Sequence, residues 1–270
     1  MIYKKILLKD IDKRFDDEGL SLSIYISDFN ELVTTRPGML ICPGGGYSYV
    51  SPREAEPVAF RFLSEGFNCF ILNYSTNKKY PAPHLDLALA VHYIKEHEKE
   101  FNLIPNSLSL MGFSAGGHLV ASYSYLYKEL AKELGFDAKK LKPSSIVLGY
   151  PVISTLAFQE QGTRKNISEE NPILDEKLDI PTHIDKNYPP TFVFTTKDDK
   201  VVPYQNTLML EEALKNNKIK YQCIIFESGF HGGSVVNRSC YKKNTIPPLM
   251  VEERKWPVFA ADFVFKTLKI

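Results

Sequence analysis

A chain of 270 residues, 44% hydrophobic and 24% charged, is long enough for one α/β domain that buries most of its apolar surface. Its formal net charge of +1 supplies no electrostatic reason to expect a nucleic acid or an anionic membrane as partner, and the basic pairs Lys139-Lys140 and Lys242-Lys243 read as solvated surface. Of its four cysteines, Cys42, Cys69 and Cys223 sit in apolar runs, and no Cys-x-x-Cys of a zinc site is present. In chain order, the first residues carry charges too often for the apolar core of a signal peptide. No later stretch approaches the roughly 18 apolar residues of a spanning helix. A cytoplasmic protein with reduced thiols and neither metal nor cofactor is expected.

From there, short apolar runs alternate with longer helical patterns, the signature of a mostly parallel sheet covered by helices. Residues 22–26 alternate as a half-exposed antiparallel strand, and 39–42 read as a buried strand stopped by Pro43 and three glycines. A helix over 58–63, a strand over 67–72 and an amphipathic helix over 84–100 follow. Next come a strand over 107–111, a helix from 116 to 134 and a strand over 146–150. From 154 to 188 the pattern fails. That stretch is polar, carries Pro172 and Pro181, and predicts a cap or lid inserted in a single domain spanning 1–270. Alternation resumes with a strand over 191–196, a helix over 204–216, a strand over 222–226 and a terminal helix over 258–268.

The strongest chemical signal is Gly112-Phe113-Ser114-Ala115-Gly116. Small residues flanking a serine permit a sharp strand-to-helix turn that lifts the hydroxyl above the sheet. A predicted strand enters this pentapeptide and a predicted helix leaves it. A neutral hydroxyl attacks an ester poorly and needs a base. In a fold with such an elbow the acid and then the base follow the serine in the chain. His84, His92 and His97 precede Ser114 and are expected on or near a helix surface. His118 lies one turn into the elbow helix as a packing or hydrogen-bonding residue, and His183 falls in the insertion. His231, in a glycine-rich loop after a late strand, is the candidate base. The acid that orients it is one of two neighbours, Asp198 or Asp199, in the loop after the strand over 191–196.

Acyl transfer also needs donors for the oxyanion. One is the backbone amide after the nucleophile, Ala115, and the second comes from an earlier glycine-rich loop, here Gly44-Gly45-Gly46. A phosphate-binding reading of these glycines lacks a following Gly-Lys-Ser/Thr and a Gly-x-Gly-x-x-Gly pattern. Tyr47, Tyr74, Phe113, Tyr150 and Phe230 stand near predicted strand ends and are candidates to line a substrate pocket.

Pro43-Gly44-Gly45-Gly46-Tyr47 together with Gly112-Phe113-Ser114-Ala115-Gly116-Gly117-His118-Leu119 resembles the bacterial esterase/lipase-like α/β-hydrolases. These include acetyl esterases, acetylxylan-esterase-like proteins and relatives of the hormone-sensitive lipase group. The resemblance continues through Asn73-Tyr74, residues 81–86, Asp199-Lys200-Val201-Val202-Pro203 and Phe230-His231-Gly232, and omits the first thirty or so residues and the insertion. It implies the α/β-hydrolase fold, with Asp199 as the acid because it stands three before the valine of Val-Pro. It likewise implies Gly45, Gly46 and Ala115 as the oxyanion donors. Pro43 replaces the histidine usual before the glycines of the hormone-sensitive-lipase group, which moves the chain toward the acetylxylan-esterase-like branch. The implied activity is a cofactor-free hydrolysis of short-chain, often acetyl, esters of small molecules. An arylformamidase, a small prolyl-oligopeptidase-like peptidase and a catalytically silent ligand-binding relative are the competing expectations.

Overall fold

The computed structural model describes residues 1–28, 32–241, 245–246 and 250–270. Lys242-Lys243 therefore lies outside the described residues, while Lys139 and Lys140 are exposed.

Eight strands form one sheet in the order β1-β2-β4-β3-β5-β6-β7-β8. They are β1 (Ile2–Leu7), β2 (Ser21–Ile26), β3 (Gly38–Cys42), β4 (Asn68–Asn73), β5 (Ser109–Phe113), β6 (Ile146–Gly149), β7 (Thr191–Thr196) and β8 (Tyr221–Phe226). Strands β1, β2 and β4 pair antiparallel, and every pairing from β4 through β3 to β8 is parallel. The central strands are mostly apolar because helices cover both of their faces; β3 and β5 are buried at every residue. The edge strand β1 is a departure from the sequence reading. Its exposed Ile2, Tyr3, Lys4 and Lys5 show no alternation, and only pairing with β2 makes it a strand.

Two helix layers close the core. On one face α3 (Ala82–Glu96), α4 (Ala115–Leu134) and α8 (Gln205–Asn216) pack around Leu87, Leu119 and Leu210. On the other, α2 (Glu56–Ser64) and α9 (Trp256–Leu268) pack around Phe62, Trp256 and Val264. Two short helices, α1 (Leu8–Ile11) and α5 (Ala138–Leu141), fill the first layer's rim. The predicted helix over 84–100 ends earlier, at Glu96, and buries more than expected. His84 is fully buried beside Ser122 instead of lying at a surface, because α3 packs along α4 on that side.

Residues 154–188 fold as α6 (Gln161–Ser168), α7 (Pro172–Leu178) and a 3-10 turn over Ile180–His183. Polar caps start both helices: the Glu160 carboxylate accepts from the amides of Gly162 and Thr163, and Asn171 accepts from those of Ile173 and Leu174. Arg164 clasps the buried Asp175 across the two helices at 2.6 Å. This explains how a polar stretch without a long period is still ordered. Among the described residues, no helix is long and apolar enough to cross a membrane.

Candidate active site

Ser114 stands between β5 and α4 with φ +52° and ψ −120°, a conformation costly for a residue with a side chain. Its neighbours make the turn possible. A Cβ at Gly112 would lie 2.2 Å from the Gly116 carbonyl, and one at Gly116 would lie 2.1 Å from the Cys42 carbonyl. Backbone bonds then pin the serine: its amide donates to the Gly149 carbonyl, and its carbonyl accepts from the amides of His118 and Val152. The hydroxyl is left at the head of the 20-residue helix α4, beside the partial positive charge of its N-terminus.

The loop after β8 brings His231 across the sheet edge to this hydroxyl. Nε2 of His231 lies 2.9 Å from Oγ of Ser114, and Nδ1 lies 2.7 Å from Oδ2 of Asp199. A carboxylate oxygen only accepts, so Nδ1 bears the ring proton and Nε2 is left to accept from the serine hydroxyl. The other oxygen of Asp199 accepts from the amides of Val201 and Val202, both at 2.9 Å, which holds the carboxylate against the ring. The neighbouring Asp198 is exposed. An imidazole so oriented can take a proton from Oγ and carry the resulting charge beside a buried carboxylate.

The glycine loop after β3 packs against Ser114, where a Cβ at Gly44 would fall 2.9 Å from that of the serine. The Gly44 amide donates to Oε2 of Glu54 at 2.7 Å, whereas the amides of Gly45, Gly46 and Ala115 have no acceptor among the described residues. Gly45 has φ +130° and no room for a Cβ, which would fall 2.0 Å from the Tyr49 carbonyl. Gly45, Gly46, Ser114 and His231 all line one cleft of about 340 Å³. Its rim is polar, with Ser48, Tyr49, Ser51 and Arg53 from the first loop and Glu160 and Asn166 from the inserted stretch. Asn166 donates to the Gly46 carbonyl at 2.7 Å, so the insertion is tied directly to the glycine loop.

The aromatic candidates fare differently. Tyr47, Tyr74, Phe113 and Tyr150 are buried core residues and do not line the cleft. Each ring turns inward because a partner waits there. The Tyr47 hydroxyl meets Nδ1 of His118 at 2.9 Å, the Tyr74 hydroxyl donates to the Pro43 carbonyl, and Phe113 packs against Tyr150 and Trp256. Tyr150 supports the site from beneath, its ring centre 5.0 Å from that of His231. Phe230 is partly exposed against Tyr241 and is also absent from the cleft lining.

Sequence reasoning missed a buried layer under the two loops. Glu54 accepts at Oε1 from the Tyr150 hydroxyl at 2.8 Å, and that hydroxyl accepts from the Ser234 amide at 3.0 Å. Nε1 of Trp256 donates to the Ser234 carbonyl, and Arg53 donates to the Gly232 carbonyl. Glu253 is fully buried in the same region, with neither carboxyl oxygen hydrogen-bonded among the described residues. No local pattern marks these residues, since their partners are far away in the chain. Among the described residues no three His, Cys, Asp or Glu side chains are grouped as metal ligands.

Several known proteins are similar to this chain in sequence or in fold. The endo-1,4-beta-xylanase B of Butyrivibrio fibrisolvens is 32% identical over 212 residues, 75% of this chain and 33% of that protein. An acetylxylan esterase of Xylanibacter ruminicola is 29% identical over 70% of this chain and 39% of its own length. The chain thus spans between a third and two fifths of these curated relatives. The crystal structure of an acetyl ester-xyloside bifunctional hydrolase from Caldicellulosiruptor lactoaceticus superposes with a TM-score of 0.82 at 29% identity, covering 98% of this chain and 96% of that one. The fold is that of the α/β-hydrolases, and relatives and neighbours bear the names of esterases. The BD-FAE family profile matches residues 22–214, well over half of the sequence, and the chain belongs to that family.

Proposed function

We propose that this chain is a serine esterase that hydrolyses short-chain carboxylic esters, acetyl esters of sugars among them, through an acyl-serine intermediate. The observation that carries the reading is the continuous hydrogen-bonded line Ser114–His231–Asp199 at the head of α4. His231 takes the proton of Ser114 as Oγ attacks the ester carbonyl. The carbonyl oxygen becomes an anion and is met by the unpaired amides of Gly45, Gly46 and Ala115, donors that are typically worth about 2.7–4 kcal/mol each to the barrier. His231 then hands the proton to the departing alcohol. Water repeats the sequence on the acyl-serine, with His231 again acting as base, and Asp199 holds the ring in one tautomer throughout.

The small cleft and its polar rim favour a compact acyl group and a hydroxyl-rich alcohol part. The names of the relatives support the same substrate class. Residues 154–188 act as a small cap over the alcohol side, held to the glycine loop by Asn166.

A fluorophosphonate probe and a panel of nitrophenyl esters test this reading. Labelling and turnover are expected in the native protein and absent in Ser114→Ala, with acetate esters turned over fastest and acetylated sugars accepted. Preference for long acyl chains would sink the short-acyl assignment. Activity on formylkynurenine alone would make the chain an arylformamidase, and a native protein that neither labels nor turns over would be a ligand-binding relative.

A further inference from the structure

Glu54 is a buried carboxyl that the chemistry above does not use. Its side chain is 3% exposed at the end of a 3-10 turn (Pro52–Glu54), directly beneath the cleft. Each carboxylate oxygen has one donor. Oε2 accepts from the Gly44 amide at 2.7 Å, and Oε1 accepts from the Tyr150 hydroxyl at 2.8 Å. Both oxygens act as acceptors, so the ionised form is the one the geometry fits. Burial holds its pKa above the ordinary carboxylate value, although the bonds from Tyr150 and Gly44 and the nearness of His231 and Arg53 pull it down. Burying a carboxylate is costly unless it is hydrogen-bonded, and here hydrophobic residues would have packed more simply.

What the carboxylate joins is informative. Gly44 opens the loop whose next two residues line the cleft, their amides without an acceptor among the described residues. The first amide is fastened to Glu54, and the chain then turns through Gly45 at φ +130° and Gly46 at φ +60°. Tyr150 connects the same carboxylate to the second loop, because its hydroxyl accepts from the Ser234 amide three residues beyond His231. A return connection exists as well. The Ser234 hydroxyl donates to the Arg53 carbonyl at 2.7 Å, and Nη1 of Arg53 donates to the Gly232 carbonyl at 3.0 Å.

We propose that Glu54 is a positioning residue which, through the Gly44 amide and the Tyr150 hydroxyl, holds the oxyanion loop and the His231 loop in register with each other. Its charge also faces the imidazole that turns cationic during acyl transfer. The inference rests on the assignment of Ser114 as nucleophile and adds to it a structural coupling between donor loop and base. A misplacement of about 1 Å among reacting groups can cost on the order of 10²-fold in rate, so loosening this link acts on kcat.

The test compares Glu54→Gln, Tyr150→Phe and the double variant on nitrophenyl acetate, with thermal melting as a check on folding. Glu54→Gln keeps the shape but removes the charge and one acceptor. It is expected to lower kcat by about 10- to 100-fold with KM changed little, and to slow fluorophosphonate labelling in parallel. Tyr150→Phe is expected to lose less, and the double variant to be about as slow as Glu54→Gln alone, as for two residues acting in one connection. If kcat stays within about twofold of the native value in a folded Glu54→Gln, the proposal is wrong. Strict additivity of the two losses, or a loss that only follows a lower folded fraction, overturns it equally. A native protein that neither turns over nor labels would instead remove the Ser114 assignment, and this inference with it.

Discussion

Replacing Glu253 by glutamine should abolish a pH dependence of stability that the native protein carries. Glu253 is fully buried, its carboxyl wedged between Gly229 and Gly233 on either side of His231, with neither oxygen hydrogen-bonded among the described residues. Burial, and then the charge of Asp199, push its pKa from 4.5 up to about 8. Between those two values the folded protein holds a proton that the unfolded chain has released. The unfolded state therefore binds fewer protons, and stability falls as pH rises through the window and levels off above it. Integrating the difference between about pH 5 and about pH 9 gives a loss on the order of 4 kcal/mol. Glutamine is neutral at every pH, so the native-minus-variant difference isolates this group from all others. The assay is urea unfolding followed by the fluorescence of Trp256, the single tryptophan, which stacks on Phe194 at 4.4 Å in the core. The native protein should lose ground to Glu253→Gln as pH rises. A difference constant to within about 0.5 kcal/mol across the range would show that Glu253 has no raised pKa and that the reasoning from its unpaired burial is mistaken.

Asp199→Asn should lower kcat by roughly 10⁴-fold, because an amide permits the wrong tautomer of His231, while Asp198→Asn should leave kcat within a few-fold; steady-state kinetics on nitrophenyl acetate separates them. Gly45→Ala should reduce kcat by about 10²–10³-fold at little change in KM, since a Cβ 2.0 Å from the Tyr49 carbonyl must displace the donor loop. Native kcat in Gly45→Ala would remove this glycine from the oxyanion site. His118 is pushed down from 6.5 to about 4 by burial. Its neutral ring accepts from Tyr47 and donates to the Leu178 carbonyl, so stability present at neutral pH should be lost as pH falls from the first value through the second. Titration of its ring signals by NMR checks this, and a midpoint near the usual value of about 6.5 would refute it.

Much of the site was legible before any coordinates. The turn at Ser114 is written into the small residues around it, because a Cβ at Gly112 or Gly116 would fall 2.2 or 2.1 Å from a backbone carbonyl oxygen. His231 could be chosen among six histidines by chain order together with its place in a glycine-rich loop after a late strand. The aromatic residues could not be placed in the same way. A strand end predicts that Tyr74 or Tyr150 stands near the site, yet whether the ring faces the cleft or the core depends on which partner lies beneath it. The burial of His84 is hidden from the sequence for a related reason: the period of α3 gives a face, and only the packing of α4 decides that this face is covered.

The sequence by itself determined the alternation of strands and helices, the elbow at Ser114, and the loops that carry Asp199 and His231. Those features depend on backbone sterics and hydrophobic periodicity, which act over a few residues. The resemblance had already implied Asp199 over Asp198, and the tertiary structure sets its carboxylate against the imidazole. Tertiary structure alone decided that four of the five aromatics belong to the core, and that Glu54, Tyr150 and Ser234 join the two loops. These depend on contacts between side chains such as Tyr150 and Glu54, separated by 96 positions, or Ser114 and His231, separated by 117. No local rule reaches that far, because such groups meet only after the sheet has closed and its loops have found their places.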